Sequence, residues 1–140
     1  MQTFLPFPNF EKSLKSLDRQ RLGKQRVEAH QILNILLNRT KTKGWRNHPA
    51  VKMWEGHSNA LKVYFNKAVE IWVSRGYKNN MDLEKVRGKI VFPEWFGKRK
   101  FHSSHKSNLL RKNKKYYSKF KWKEAQNLPY FWPTKKPKAR

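Results

Sequence analysis

The chain has 140 residues, enough for one domain of ordinary size, and carries 33 Lys and Arg against 9 Asp and Glu, a formal net charge of +24. Like charges at that density oppose compaction unless a polyanion offsets them by releasing its counterions, so composition points to a phosphate backbone as partner. Six Trp, five Tyr and nine Phe exclude a disordered basic tail, and the absence of Cys excludes disulfides and thiolate-zinc sites.

No apolar stretch approaches the roughly 18 residues of a membrane span. The opening MQTFLPFPNF lacks a basic region followed by a long apolar run, so it does not read as a secretory signal. An intracellular setting, alongside DNA and RNA, is expected.

Pro6 and Pro8 predict an extended start over residues 1–8. Asn9 is placed to cap a short helix through about Leu17, with Glu11 in its first turn. Asp18 is placed to cap a longer helix to about Asn38, with an apolar stripe of Leu22, Ala29, Leu33 and Leu36 and with Ile32 beside it. A loop from Thr40 to Trp45 leads to Asn47 and Pro49, which open a short helix through Trp54. Gly56 breaks that helix, and Ser58 is expected to cap the next, which runs to about Arg75 and is closed by Gly76. Leu61, Tyr64, Phe65, Ala68, Ile71 and Trp72 follow helical spacing there and are assigned to the core.

Another turn of helix is expected over 82–87, then a loop from Pro93 to Lys100. Ser103 or Ser104 is expected to cap a helix through about Lys112, and Asn113 a last short helix into Tyr117. Leu109, Leu110 and one of Tyr116 and Tyr117 are expected in the core. The fold class is therefore all-α: a compact single helical domain with long loops over residues 1–133, followed by a frayed basic tail, TKKPKAR, over 134–140.

On the second helix Asp18, Arg21, Gln25 and Glu28 lie in one file, at i, i+3, i+7 and i+10. Arg26 sits inside the apolar stripe, where an unpaired guanidinium is costly. One reading makes this face the floor of an anion-binding cleft with a carboxylate among cations. The other is a salt-bridged helix whose Arg26 snorkels outward. Glu28 gains weight because a carboxylate on a phosphate-attracting face weakens binding unless it does general acid/base work. Glu55 and Glu70 are rivals on the same ground.

His102 and His105 are not spaced as a helical i, i+4 zinc pair and no nearby carboxylate or Cys completes a ligand set, so hydrogen bonding to phosphate or base is expected of them. No metal and no cofactor is expected. His48 and His57 read as capping or packing residues. From Lys98 to Lys123 cations alternate with aromatics, a pattern suited to phosphates and unstacked bases. Arg21, Lys24, Arg46 and Lys112 join the expected nucleic-acid contacts.

Five blocks carry a resemblance: MQTFLPFP, LDRQRLGKQRVE (17–28), WRNHPAVKMWEGH (45–57), FHSSHKSNLLRK (101–112) and LPYFWP (128–133). In this order they resemble a group of small bacterial and viral proteins related to the phage pyrimidine-dimer DNA glycosylase/AP lyase, the endonuclease V of ultraviolet repair. The resemblance implies a metal-independent, base-flipping enzyme acting on damaged double-stranded DNA, its nucleophile the α-amine of the chain.

In this sequence that nucleophile is Met1 itself, since Gln2 is too large for usual Met removal. The family's Arg–Glu pair maps to Arg26 and Glu28, here separated by Val27. Its basic C-terminal helix maps to Arg111 and Lys115, and its aromatic-basic tail to Tyr117 and Trp122. The expected state is a monomer. Two alternatives stay open: a non-catalytic DNA- or RNA-binding protein on the same fold, and a metal-dependent nuclease using His102 and His105.

Overall fold

A computed structural model describes residues 2–41 and 46–133. Among these residues the regular structure is helical: α1 (Phe10–Ser16), α2 (Arg19–Leu36), α3 (Pro49–Lys52), α4 (Ser58–Ser74), α5 (Arg99–Lys112) and α6 (Lys114–Tyr117), with a 3₁₀ turn over Ser118–Phe120. The all-α class holds. Met1, residues 42–45 of the expected Thr40–Trp45 loop and the 134–140 tail lie outside the described residues.

α2 and α4 form the principal helix pair, and α1 packs on α4. Between them lies one continuous core that includes Leu14, Leu22, Leu33, Trp54, Leu61, Tyr64, Phe65 and Tyr117. Asn9 caps α1 through the Lys12 N–H, and Asn113 caps α6 through the Tyr116 N–H, both as the residue types predict. Leu109, Leu110 and Tyr117 are buried. Trp72, expected in the core, and Leu36, on the expected apolar stripe, are only partly buried at its margin.

Several local expectations are corrected. Asp18 occupies the N-cap position of α2 without a capping bond, because its carboxylate takes the Tyr117 hydroxyl and the Arg21 guanidinium. α2 ends at Leu36, two residues early, and Asn38 turns left-handed with φ 56°. α3 stops at Lys52 rather than Trp54, and His48, read as a capping or packing residue, is its cap. His57 rather than Ser58 holds the N-cap position of α4.

No helix forms over 82–87. The extended backbone there is held by side chains of α4: Asn66 exchanges bonds with both backbone groups of Glu84, Lys62 donates to the Lys85 carbonyl, and Asn59 donates to those of Arg87 and Lys89. Those contacts take the carbonyls that a turn of helix would need.

α5 begins at Arg99, a full turn before the expected serine cap. The Ser104 hydroxyl bonds back to the Phe101 carbonyl and Ser103 bonds to Glu124, so neither serine caps. Burial of Phe101 against Trp95 and His105 favours the earlier start.

The unusual feature is the N-terminal segment. Thr3, Phe4 and Leu5 are buried without regular structure. Buried backbone outside helices and sheets must find side-chain partners. Here Phe4 N–H donates to Gln25 Oε1 at 2.8 Å, and the Tyr64 hydroxyl lies 2.9 Å from the Phe4 carbonyl. Leu5 N–H donates to His105 Nδ1 at 2.9 Å, and His102 Nδ1 lies 2.7 Å from the Leu5 carbonyl. Trp54 Nε1 donates to Thr3 Oγ1. α2, α4, α5 and the turn after α3 each commit a buried polar group to this one stretch.

Candidate active site

The first residues of the chain end at a cleft of about 190 Å³, which Gln2 and Phe4 line together with Gln20, Arg21, Lys24 and Glu28 of α2 and Lys112 of α5. The file read from sequence is thus partly realised. Arg21, Lys24 and Glu28 share the cleft, whereas Asp18 is outside its lining, buried and bound to Tyr117.

Glu28 is half-buried. Its carboxyl is raised above the ordinary value by that burial, and the Gln2 backbone and the Lys24 charge pull it partly back. Gln25 Nε2 donates to Glu28 Oε2 at 3.2 Å and to the Gln2 carbonyl at 3.1 Å. A carboxylate so placed, among cations and partly desolvated, is equipped to exchange protons with a bound anionic substrate. Glu55 and Glu70, the rival carboxylates, are exposed, and Glu70 pairs with Lys67.

Arg26 is not brought to Glu28. Two residues along a helix amount to about 200°, and Arg26 lies on the other flank of α2. It stacks 4.4 Å over the Trp72 ring and donates to Asn79 Oδ1 at 2.6 Å. Its Nε finds no hydrogen-bond partner among the described residues, and burial lowers its pKa.

His102 and His105 are buried at 5 % and 2 % exposure, which corrects the expectation that they face phosphate or base. Both nitrogens of His102 are occupied: Nδ1 by the Leu5 carbonyl and Nε2 by the Gly97 N–H. That leaves no pair for a nuclease metal. Among the described residues no group of three or more His, Cys, Asp or Glu gathers as a ligand set.

Tyr117 is likewise interior, its hydroxyl bound to Asp18 and its ring stacked with Trp122, so it offers no face to a base. Trp122 is half-buried, stacked with Phe120 and approached by Lys106.

The remaining expected contacts are at the surface. Lys112 borders the cleft and Lys115 is exposed, while Arg111 is exposed and donates to the Gln126 carbonyl. Arg46 is tied to the end of α2 through the Ile35 carbonyl and the Asn38 amide, apart from the cleft lining. No helix among the described residues is long and apolar enough to cross a membrane.

Three residues that contact the cleft lining are not singled out by the sequence as candidates for the site: Gln25 reads only as one of the file on α2, Tyr64 only as core, and Tyr130 carries no assignment. Gln25 is fully buried and bridges the N-terminal segment to Glu28. Tyr64 bonds to Gln25, and a Tyr where Phe would serve in an apolar stripe was the available signal. Tyr130, whose hydroxyl meets the Gln2 side chain and Asn108, comes from the opposite end of the chain and no local pattern announced it.

The family profile described as pyrimidine dimer DNA glycosylase matches residues 1–85. No curated protein and no solved structure matches the chain. The matched stretch runs from the N-terminal segment through α4 and contains Gln25, Glu28 and Tyr64. On that match over more than half of its length, the chain belongs to the pyrimidine dimer DNA glycosylase family.

Proposed function

We propose that the protein is a DNA glycosylase with AP-lyase activity on damaged double-stranded DNA, that its nucleophile is the α-amine of Met1, and that Glu28 is its proton-transfer group. The observation that carries this reading is the holding of residues 2–5 by five separate parts of the fold, ending beside Glu28. A buried, non-helical stretch at Thr3, Phe4 and Leu5 is costly to build, and chemistry at the α-amine gives it a purpose. Met1 lies outside the described residues, but one peptide bond joins it to Gln2, whose backbone contacts Glu28.

An α-amine has a reference pKa of about 7.7–8.0, so an appreciable fraction is neutral at physiological pH. Its lone pair forms a bond to C1′ of the damaged nucleotide, and the bond from C1′ to the base breaks, the base leaving with a proton. Opening of the sugar ring gives an imine between the N-terminus and C1′. Loss of a proton from C2′ then expels the 3′ phosphate and cuts the strand. Glu28, its carboxyl raised by burial, supplies and takes protons in these steps. Arg21, Lys24 and Lys112 hold the flanking phosphates, with Lys115 and Arg111 extending the track. The target nucleotide is flipped from the stack, the protein acts as a monomer, and no metal takes part.

Borohydride trapping on duplex DNA with an abasic site tests this, using the chain with its free N-terminus and with a one-residue extension. A covalent adduct formed only by the free chain, undiminished by chelator, is the expected result. Tight binding without an adduct would overturn the lyase assignment.

A further inference from the structure

Gln25 is buried at 0 % exposure inside α2, and all four hydrogen-bonding positions of its amide are taken. Oε1 accepts from the Phe4 N–H at 2.8 Å and from the Tyr64 hydroxyl at 2.6 Å. Nε2 donates to the Gln2 carbonyl at 3.1 Å and to Glu28 Oε2 at 3.2 Å. The amide can point only one way. Reversed, its carbonyl would oppose the Gln2 carbonyl and the Glu28 carboxylate, and its NH₂ would oppose the Phe4 N–H.

We propose that Gln25 is a positioning residue, whose amide sets the N-terminal segment and the Glu28 carboxylate in a single register. The inference rests on the reading that Glu28 and the N-terminus are the reacting pair. One nitrogen holds both the backbone of residue 2 and the carboxylate, so neither moves without the other. Tyr64 locks the amide from the far side, its hydroxyl lying within reach of both Gln25 Oε1 and the Phe4 carbonyl. A misplacement of about 1 Å between reacting groups can cost about 100-fold in rate, so register at this point matters. The Nε2–H also favours the ionised carboxylate, because a hydrogen bond to the charged form stabilises that form.

The test compares Gln25→Met, Gln25→Glu and the parent chain. Gln25→Met keeps the volume and removes every bond. Gln25→Glu keeps acceptors for Phe4 and Tyr64 but removes both donors and sets a second carboxylate against Glu28. Single-turnover cleavage of abasic duplex is followed against pH. In parallel, the Glu28 carboxyl is titrated by carbon-13 NMR and exchange of the Phe4 amide is measured.

Both variants are expected to cleave about 100-fold more slowly while duplex affinity stays within about twofold. The Glu28 titration and the acid limb of the rate profile move to higher pH, furthest in Gln25→Glu. The Phe4 amide loses protection in Gln25→Met and keeps it in Gln25→Glu. A rate loss no larger than the loss of folded protein, with the Glu28 titration unmoved, would overturn the proposal. If the parent chain itself does not cleave, the catalytic reading fails, and the NMR titration still decides the positioning. A shifted Glu28 in the variants supports it and an unshifted one refutes it.

Discussion

Glu28 and Gly23 lie on one helix and fail in different ways when changed. Glu28→Gln keeps the shape and removes the exchangeable proton, so strand cleavage should fall by about 10²–10⁴. Duplex affinity should hold or rise slightly, since a carboxylate leaves a phosphate-binding surface. Equal losses in binding and cleavage would instead mark Glu28 as part of the binding surface alone. Gly23 concerns stability. A Cβ there would stand 3.0 Å from two atoms of the Trp72 ring, and the ring has little room to yield. Its Nε1 donates to the Lys78 carbonyl at 2.7 Å, Arg26 covers one face at 4.4 Å, and Tyr77 packs at 4.5 Å. Alanine in place of glycine gains about 1 kcal/mol in helix propensity but overpacking costs about 1–3 kcal/mol, so Gly23→Ala should destabilise by about 1 kcal/mol. Urea denaturation measures this, and a stabilised variant would show that Trp72 is free to move.

At the scale of elements, what the sequence made legible follows from the range of the interactions involved. α1 and α6 were readable from Asn9 and Asn113 because a cap is a contact across three residues. The file of Arg21 and Glu28 was readable because helical periodicity places them. By contrast, the non-helical 82–87 stretch depends on Asn59, Lys62 and Asn66, which lie a whole helix away. The early start of α5 likewise depends on Phe101 finding Trp95 and His105. His102 and His105 looked like surface ligands because nothing local showed that Leu5 would lie between them. Their clamp requires neutral rings, since His105 Nδ1 must accept from the Leu5 N–H. Burial lowers the pKa of His105 to about 3 and also depresses that of His102. A histidine depressed in the folded state contributes its full stability above the unfolded value of about 6.5, and the contribution is lost as pH falls from there toward 3. Each such ring adds a slope of up to about 1.4 kcal/mol per pH unit in that window. His105→Gln, an acceptor that does not titrate, should flatten the acid unfolding curve followed by tryptophan fluorescence. Parallel curves for the two proteins would show that the clamp does not set acid stability.

The whole molecule carries far more cations than one cleft can use, and which of them meet DNA is a question about faces rather than totals. Duplex binding should weaken steeply with salt: about six to ten phosphate contacts imply a loss of roughly 10³–10⁵ in affinity between 50 and 200 mM. The net charge of +24 alone would predict only that binding is salt-sensitive. The position of the cleft predicts where the sensitivity comes from. Lys24 and Lys112 border it from α2 and α5, so Lys24→Ala and Lys112→Ala should each reduce the slope of log affinity against log salt by about 1. Lys67 on α4 is outside the cleft lining, 3.6 Å from Glu11 and 3.6 Å from Glu70. Lys67→Ala should leave the slope unchanged within error. Equal effects from all three would mean that the charge acts as a diffuse field, and the duplex would then have no preferred face. A slope that changes only at Lys24 and Lys112 would place the duplex across the cleft, with Glu28 and the N-terminal segment beneath it.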